Sequence, residues 1–181
     1  MNFIHLLTLL RKVKIRSFKK GELLISEGCT KTEIFFIRKG LVRGFHTPSS
    51  GDEVTFQLYP ETYLFTNIHS LLFDGTSKFS YEALEPTKAY VIDHADFIKV
   101  TSQNANLSEL SQKFMGKRVI RQAFQRIESF VLLSPEERYL KYVQDFPNVV
   151  NRAPDKYIAN VLGITPVSLS RIRSRIATRK A

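Results

Sequence analysis

The chain has one cysteine, Cys29, in 181 residues. A lone thiol cannot close an internal disulfide. It also excludes an all-cysteine iron–sulfur cluster or zinc site within one chain. A reducing cytoplasm is the simplest setting for such a sequence. Cys29 reads as an ordinary thiol at a turn, with redox sensing as the alternative. Histidine is scarce too: His5, His46, His69 and His94, none two, three or four residues from another. A two-histidine metal site therefore has no local signature. Long apolar runs are missing. The stretch Phe3 to Leu10 contains His5 and Thr8, is far too short to span a bilayer, and no cleavage site follows it. Gly-rich phosphate loops, a nucleophile elbow and a paired histidine–glutamate helix are all lacking. These absences point away from an enzyme. No catalytic residue, metal or cofactor is expected, and no membrane partner.

Charge is plentiful but uneven. The chain is +10 at pH 7, and residues 1–112 carry 13 Lys+Arg against 12 Asp+Glu, whereas residues 113–181 carry 14 against 5. Neutralising phosphates dominates protein–DNA affinity, so a basic C-terminal third is an expected footprint. The alternative is a solvated basic face with no partner.

The last residues carry the sharpest pattern. Ile158, Ala159, Leu162, Gly163, Ile164, Leu169 and Ile172 fit two short helices crossing at a tight turn. Ala159 lets the second helix approach, and Gly163 sits where positive φ is convenient. Thr165 can cap the second helix, with Pro166 at its first position. At 100° per residue, Leu169, Ile172 and Ile176 face inward. Val167, Ser170, Arg171, Ser174 and Thr178 then face outward, with Ser168 and Arg175 on the flank. Such a helix-turn-helix is a reading head for the DNA major groove. The expected DNA-binding residues are Thr165, Val167, Ser168, Ser170, Arg171, Ser174, Arg175 and Arg179. Arg171 is the candidate for a bidentate guanine contact, and Val167 for a thymine methyl. Arg173 is angled nearer the core and is assigned to phosphate or to snorkelling.

Residues 18–100 read as β, with apolar runs at Glu22–Ser26, Glu33–Arg38, Leu41–His46, Val54–Leu58, Phe79–Leu84 and Lys88–Ile92. Glycines and prolines punctuate them, which suggests a sandwich or barrel. Asn2–Leu10 and Asp93–Thr101 are helical in character. From about Asn104 the period changes. Leu107, Leu110 and Phe114 form one stripe, and Ile120, Phe124, Ile127 and Val131 a second, about 120° away on one helix. One stripe suits the β region and the other a partner copy; two helices broken at Gly116 are the alternative. Ser134-Pro135-Glu136-Glu137 then opens a further helix with a capping box, running to about Asp145.

The order of parts resembles the cyclic-AMP receptor protein / fumarate-nitrate regulator (Crp/Fnr) family of bacterial transcription factors. The resemblance rests on Phe18-Lys19-Lys20-Gly21-Glu22-Leu23-Leu24, on Phe36 to Arg43, on Ala83 to Thr87, on Tyr157-Ile158-Ala159 and on Leu162 to Ile172. It looks especially like regulators of the Bacteroidetes branch, where Ser134 to Tyr139 also has counterparts. It implies an α+β chain in three parts: an antiparallel, jelly-roll β-roll effector domain (1–103, cyclic-nucleotide-binding-like), a long dimerisation helix (104–131), and a winged-helix-like helix-turn-helix domain (132–181). It also implies a homodimer on a pseudo-palindromic operator in double-stranded DNA, with RNA polymerase and a small-molecule effector as further candidate partners.

Two departures qualify the resemblance. Arg171 maps onto the family's guanine-contacting arginine, but Val167 stands where glutamate is usual and cannot accept from cytosine N4. In the β-roll, members that bind cyclic AMP carry a Phe-Gly-Glu string and an arginine ten residues later. Here the matching positions are Phe65-Thr66-Asn67 and Ser77, with Lys78 adjacent. Thr66, Asn67, Ser77 and Lys78 thus mark the expected effector pocket, one without the fork that would hold a cyclic phosphate. Cyclic AMP is not the expected ligand. The sequence reads as a cytoplasmic transcription regulator. The rivals are a β-roll module acting on a protein partner and a cupin-like enzyme, for which only His46 and His69 are candidate ligands.

Overall fold

The structure is a computed structural model that describes residues 3–180. Asn2, and the side chains of His5, Leu110, Phe114 and Lys180, lie outside the described residues. A first helix, α1 (Phe3–Lys12), leads into eight strands: β1 (Lys14–Phe18), β2 (Leu23–Ile25), β3 (Glu33–Lys39), β4 (Val42–His46), β5 (Val54–Tyr59), β6 (Leu64–Thr66), β7 (Ser80–Ala83) and β8 (Thr87–Asp93). A short helix, α2 (Ile68–Phe73), lies between β6 and β7. The strands form two antiparallel four-stranded sheets, ordered β1-β8-β3-β6 and β2-β7-β4-β5.

Sequence alternation explains the layering. Along β3, Phe35 and Ile37 turn into the roll and are fully buried. Their neighbours Ile34 and Phe36 turn outward, where they meet Leu9 and Val13 at the end of α1 and Phe97 of the next helix, α3 (His94–Thr101). Burial on both faces makes this strand read as an unbroken apolar run rather than an alternating one. Inside the roll, Phe35, Phe65 and Tyr81 stack in series, with ring centroids 5.1 and 4.9 Å apart. Tyr59 leans on the same stack.

Three elements were not legible. β1 is an edge strand whose side chains are mostly exposed except Phe18. β6 is three residues long. In α2, Asn67 accepts from the N–H of Ser70, a local cap hidden inside a stretch read as β. The helical reading of 93–101 holds, with Asp93 capping α3 through Ala95 and Asp96.

The long helix α4 (Ala105–Leu132) is continuous through Gly116, capped by Asn104. Leu107 is buried, whereas Ile120, Phe124, Ile127 and Val131 are 59–75 % exposed. Then come α5 (Pro135–Asp145), α6 (Asp155–Leu162) and α7 (Pro166–Lys180). The Ser134–Glu137 capping box is formed. A winged form is not realised: among the described residues no strand follows Asp93. The segment between α5 and α6 contains Pro147 and Pro154, which cannot donate to a ladder, and it forms consecutive turns around the buried Val149.

The C-terminal helices share a core with the β-roll. Leu41 and Leu58 of the roll pack among Tyr139, Ile158, Leu162, Leu169 and Ile172. Around this seam the polar contacts are specific. The N–H of Thr55 donates to Asn160 Oδ1 at 3.2 Å. The Arg43 guanidinium lies between the rings of Phe45 and Tyr157, 4.0 and 4.4 Å from their centroids, and pairs with Glu53 and Glu82. Arg152 forks onto Glu61 with two 2.9 Å bonds and reaches Glu85 at 2.6 Å.

That fork, aided by the Gly40 N–H, lowers the Glu61 pKa from its ordinary 4.5 to about 2. Between those values the unfolded chain binds the proton and the folded chain does not. The stabilisation is therefore full above about pH 4.5 and is lost as pH falls toward 2. Glu61→Gln should flatten stability over that window. It should also lower the melting midpoint at pH 7 by about 2–4 °C, about 1 kcal/mol for a part-exposed pair. Melting curves at pH 2.5, 4.5 and 7 check both.

Candidate nucleic-acid interface

The helix-turn-helix is built by backbone rules its residues obey locally. α6 ends at Gly163, whose φ of +66° is left-handed. The Gly163 N–H bonds to the Asn160 carbonyl and the Ile164 N–H to the Ala159 carbonyl, each at 3.0 Å, which closes a Schellman turn. Thr165 Oγ1 accepts from the Ser168 N–H at 3.1 Å and so caps α7, with Pro166 first in the helix. Leu169 and Ile172 are buried, and Ile176 packs beside them.

The opposite face of α7 is open. Val167 is 60 % exposed, and Thr165, Ser170, Arg171, Ser174, Arg175 and Arg179 are exposed as well, with Ser168 half-buried at the flank. Ser170, Arg171, Ser174, Arg175, Thr178 and Arg179 line a shallow depression on this face. The structure thus brings the expected DNA-contacting residues onto one surface. Their charges are not all unengaged: Glu136, near the start of α5, pairs with Arg179 at 2.5 Å and Arg175 at 3.5 Å. Arg171 has no carboxylate partner among the described residues.

Arg173 departs from both roles expected of it. It donates to both Asp155 carboxylate oxygens at 2.8 Å and to the Tyr139 hydroxyl at 3.1 Å. It braces α7 against the start of α6 because the inward tilt that suggested snorkelling places an acid within reach.

Residues that sequence reasoning passed over hold the turn. Phe130, near the end of α4, fills the space beside Gly163, where a Cβ would stand 2.5 Å from its Cε1. Two guanidiniums flank the Phe130 ring: Arg126 at 5.1 Å and Arg138 at 4.9 Å from its centroid. Arg138 donates to the carbonyls of Leu162 and Leu133 at 3.1 and 2.8 Å, and Arg126 points to the Val161 carbonyl at 3.5 Å. Cations at the C-terminal carbonyls of a helix complement its dipole. No one-dimensional pattern marks Phe130 or Arg126, because their partners lie 33 and 35 residues away.

In the β-roll, Thr66, Asn67 and Ser77 are buried, and Lys78 is exposed. Thr66 donates to the Glu33 carbonyl at 2.8 Å, Asn67 to the Cys29 carbonyl at 3.0 Å, and Ser77 to the Phe79 carbonyl at 2.7 Å. Their donors are engaged by backbone. His46 lies 3.4 Å from Glu27, and His69 packs on Phe73; no group of three or more metal-ligating side chains gathers among the described residues.

Residues 15–104 match the cyclic nucleotide-binding domain family. The chain superposes on FixK2 from Bradyrhizobium japonicum with a TM-score of 0.77 at 15 % identity, covering 93 % of this chain and 86 % of that one. A CooA variant from Carboxydothermus hydrogenoformans gives 0.68 at 15 %, covering 94 % and 79 %. A candidate transcriptional regulator of the crp/fnr family from Eubacterium rectale gives 0.72 at 15 %, covering 99 % and 85 %. The chain shares the fold of these proteins. Its β-roll is a cyclic nucleotide-binding domain by family, and its helices follow in the order of those regulators. No curated protein sequence matches it. No helix among the described residues is long and apolar enough to cross a membrane.

The Gly163 turn is testable by substitution. Gly163→Ala meets both an unfavourable φ and the Phe130 ring, and should cost about 1–3 kcal/mol. Gly163→Ala in a Phe130→Ala background should cost less, because one of the two clashes is gone. A double-mutant cycle of chemical denaturation measures the difference.

Proposed function

We propose that this chain is a transcription regulator of the Crp/Fnr type that binds DNA through α7. The observation that carries this reading is the open outer face of α7. Arg171 stands there free of carboxylates among the described residues, on a helix whose inner face is locked into the core. A bidentate arginine at such a position matches guanine O6 and N7, and Val167, one turn earlier, offers an apolar contact to a thymine methyl. The division into a β-roll to residue 103, a dimerisation helix over 104–131 and a DNA-binding part from 132 onward is part of the same proposal. Thr66, Asn67, Ser77 and Lys78 remain the place for a family-type effector, and with the donors of Thr66, Asn67 and Ser77 engaged by backbone they favour a ligand other than cyclic AMP. A β-roll module that regulates a protein partner is the second reading. The net charge of +9 over residues 113–181, 14 Lys+Arg less 5 Asp+Glu, favours DNA over it.

The exposed stripe Ile120, Phe124, Ile127 and Val131 supports a homodimer along α4, since a contiguous apolar face of that size is unusual on a monomer. Light scattering at micromolar concentration should report twice the 20.9 kDa chain mass. Ile127→Asp should shift it to the monomer, and a monomeric unmodified chain would count against the reading.

Arg171→Ala should cost about 1–3 kcal/mol on a site selected from random duplexes and flatten the preference at one base pair per half-site. Arg179→Ala should weaken selected and scrambled duplexes about equally and lower the salt slope by about one. Equal losses on both duplexes for Arg171→Ala would make it a phosphate contact. Absence of salt-dependent DNA binding by the unmodified chain would overturn the function itself.

A further inference from the structure

A cavity of about 110 Å³ lies where α4, β5 and the α5–α6 helices meet. It is lined by Gln57 and Tyr63 of the β-roll, Arg126 of α4, and Arg138, Lys141 and Asp145 of α5, among others. It contains none of the residues 66–78 that form the family-type effector position. Its chemistry is lopsided. Three cations face it, and Asp145, its one carboxylate among the described lining residues, is paired with Lys141 at 3.0 Å. Three positive charges less one negative leave two. Arg126 is the least compensated of these groups. Among the described residues its hydrogen bond is to the Val161 carbonyl at 3.5 Å, a marginal one, and burial lowers its pKa. A half-buried guanidinium without an anion is costly, and a phosphate or carboxylate is what its fork fits best.

We propose that this cavity binds a small phosphate-bearing ligand, held by Arg126, Arg138 and Lys141 and oriented by Gln57 and Tyr63. A phosphate monoester carries close to two negative charges near neutral pH, which matches the residual +2, and its oxygens accept from two guanidinium forks at once. The ligand would compete for the arginines that now donate to the carbonyls of Val161 and Leu162. Those carbonyls end α6 immediately before the Gly163 turn, so occupancy is felt where α7 is aimed. The site stands independently of the DNA-binding reading, and its first test contains no DNA.

The test is titration calorimetry on the full chain in a phosphate-free buffer with three probes: inorganic phosphate, glucose 6-phosphate and succinate. One saturable phosphate site per chain is expected below about 1 mM. Tighter binding of glucose 6-phosphate than of inorganic phosphate would assign the natural ligand to an organic ester, and the reverse order to the free ion. Arg126→Gln and Lys141→Gln should each weaken binding at least about tenfold, whereas Arg171→Ala on the outer face of α7 should leave it unchanged. Lys141 is half-exposed at the rim, so its variant decides the matter if Arg126→Gln fails to fold. No saturable phosphate heat up to about 10 mM would overturn the proposal. So would binding unchanged in Lys141→Gln, binding lost in Arg171→Ala, or succinate binding as tightly as phosphate.

Discussion

The direction of α7 depends on a missing methyl group. Gly163 turns the chain through left-handed φ, and the space its absent Cβ leaves is filled by Phe130 from the long helix. An L-residue there would strain the backbone and also strike the ring. The contact joins the end of α4 to the turn that sets the angle between α6 and α7. Arg126 and Arg138 close over the same ring and satisfy carbonyls that α6 leaves without partners. The end of α4 and the turn before α7 are therefore joined by side chains in direct contact.

A second seam keeps α6 from moving independently of the roll. Leu41 and Leu58 sit in the same apolar cluster as the helix-turn-helix, so the two parts do not have separate cores. The ionic contacts around the seam are arranged as forks and stacks: Arg152 onto two carboxylates, Arg43 between two rings. Bidentate geometry fixes orientation as well as distance, which a point charge would not. The energetic weight lies with the apolar contacts, and the polar ones select a single docking angle.

Much of the helical half was legible because its signals are local. The Ser134–Glu137 box, the Thr165 cap, Pro166 and Gly163 each act within four residues of themselves, and the structure forms every one. The continuous α4 followed from periodicity, although the side chains of Leu110 and Phe114 in its first stripe lie outside the described residues. Short or edge strands were less legible. β6 is too short for alternation to register, and β1 buries little. The expected contact residues, Thr165 and seven of α7, do share a surface. The role of Arg173 is not legible along the chain because Asp155 lies on another helix, and the wing expected of the C-terminal part is replaced by turns.

By itself the sequence determined which face of α7 stays outside, where each helix begins and stops, and that one end of the chain is strongly basic. All of these follow from spacing, caps and counted charge, which act along the chain. Tertiary structure alone decided that Phe130 meets Gly163, that Arg126 is half-buried without a carboxylate among the described residues, that Glu136 holds Arg175 and Arg179, and that the donors of Thr66, Asn67 and Ser77 turn to the backbone. These pairings join elements up to tens of residues apart. Their partners are chosen by how the layers pack, a choice no periodicity within a single element records.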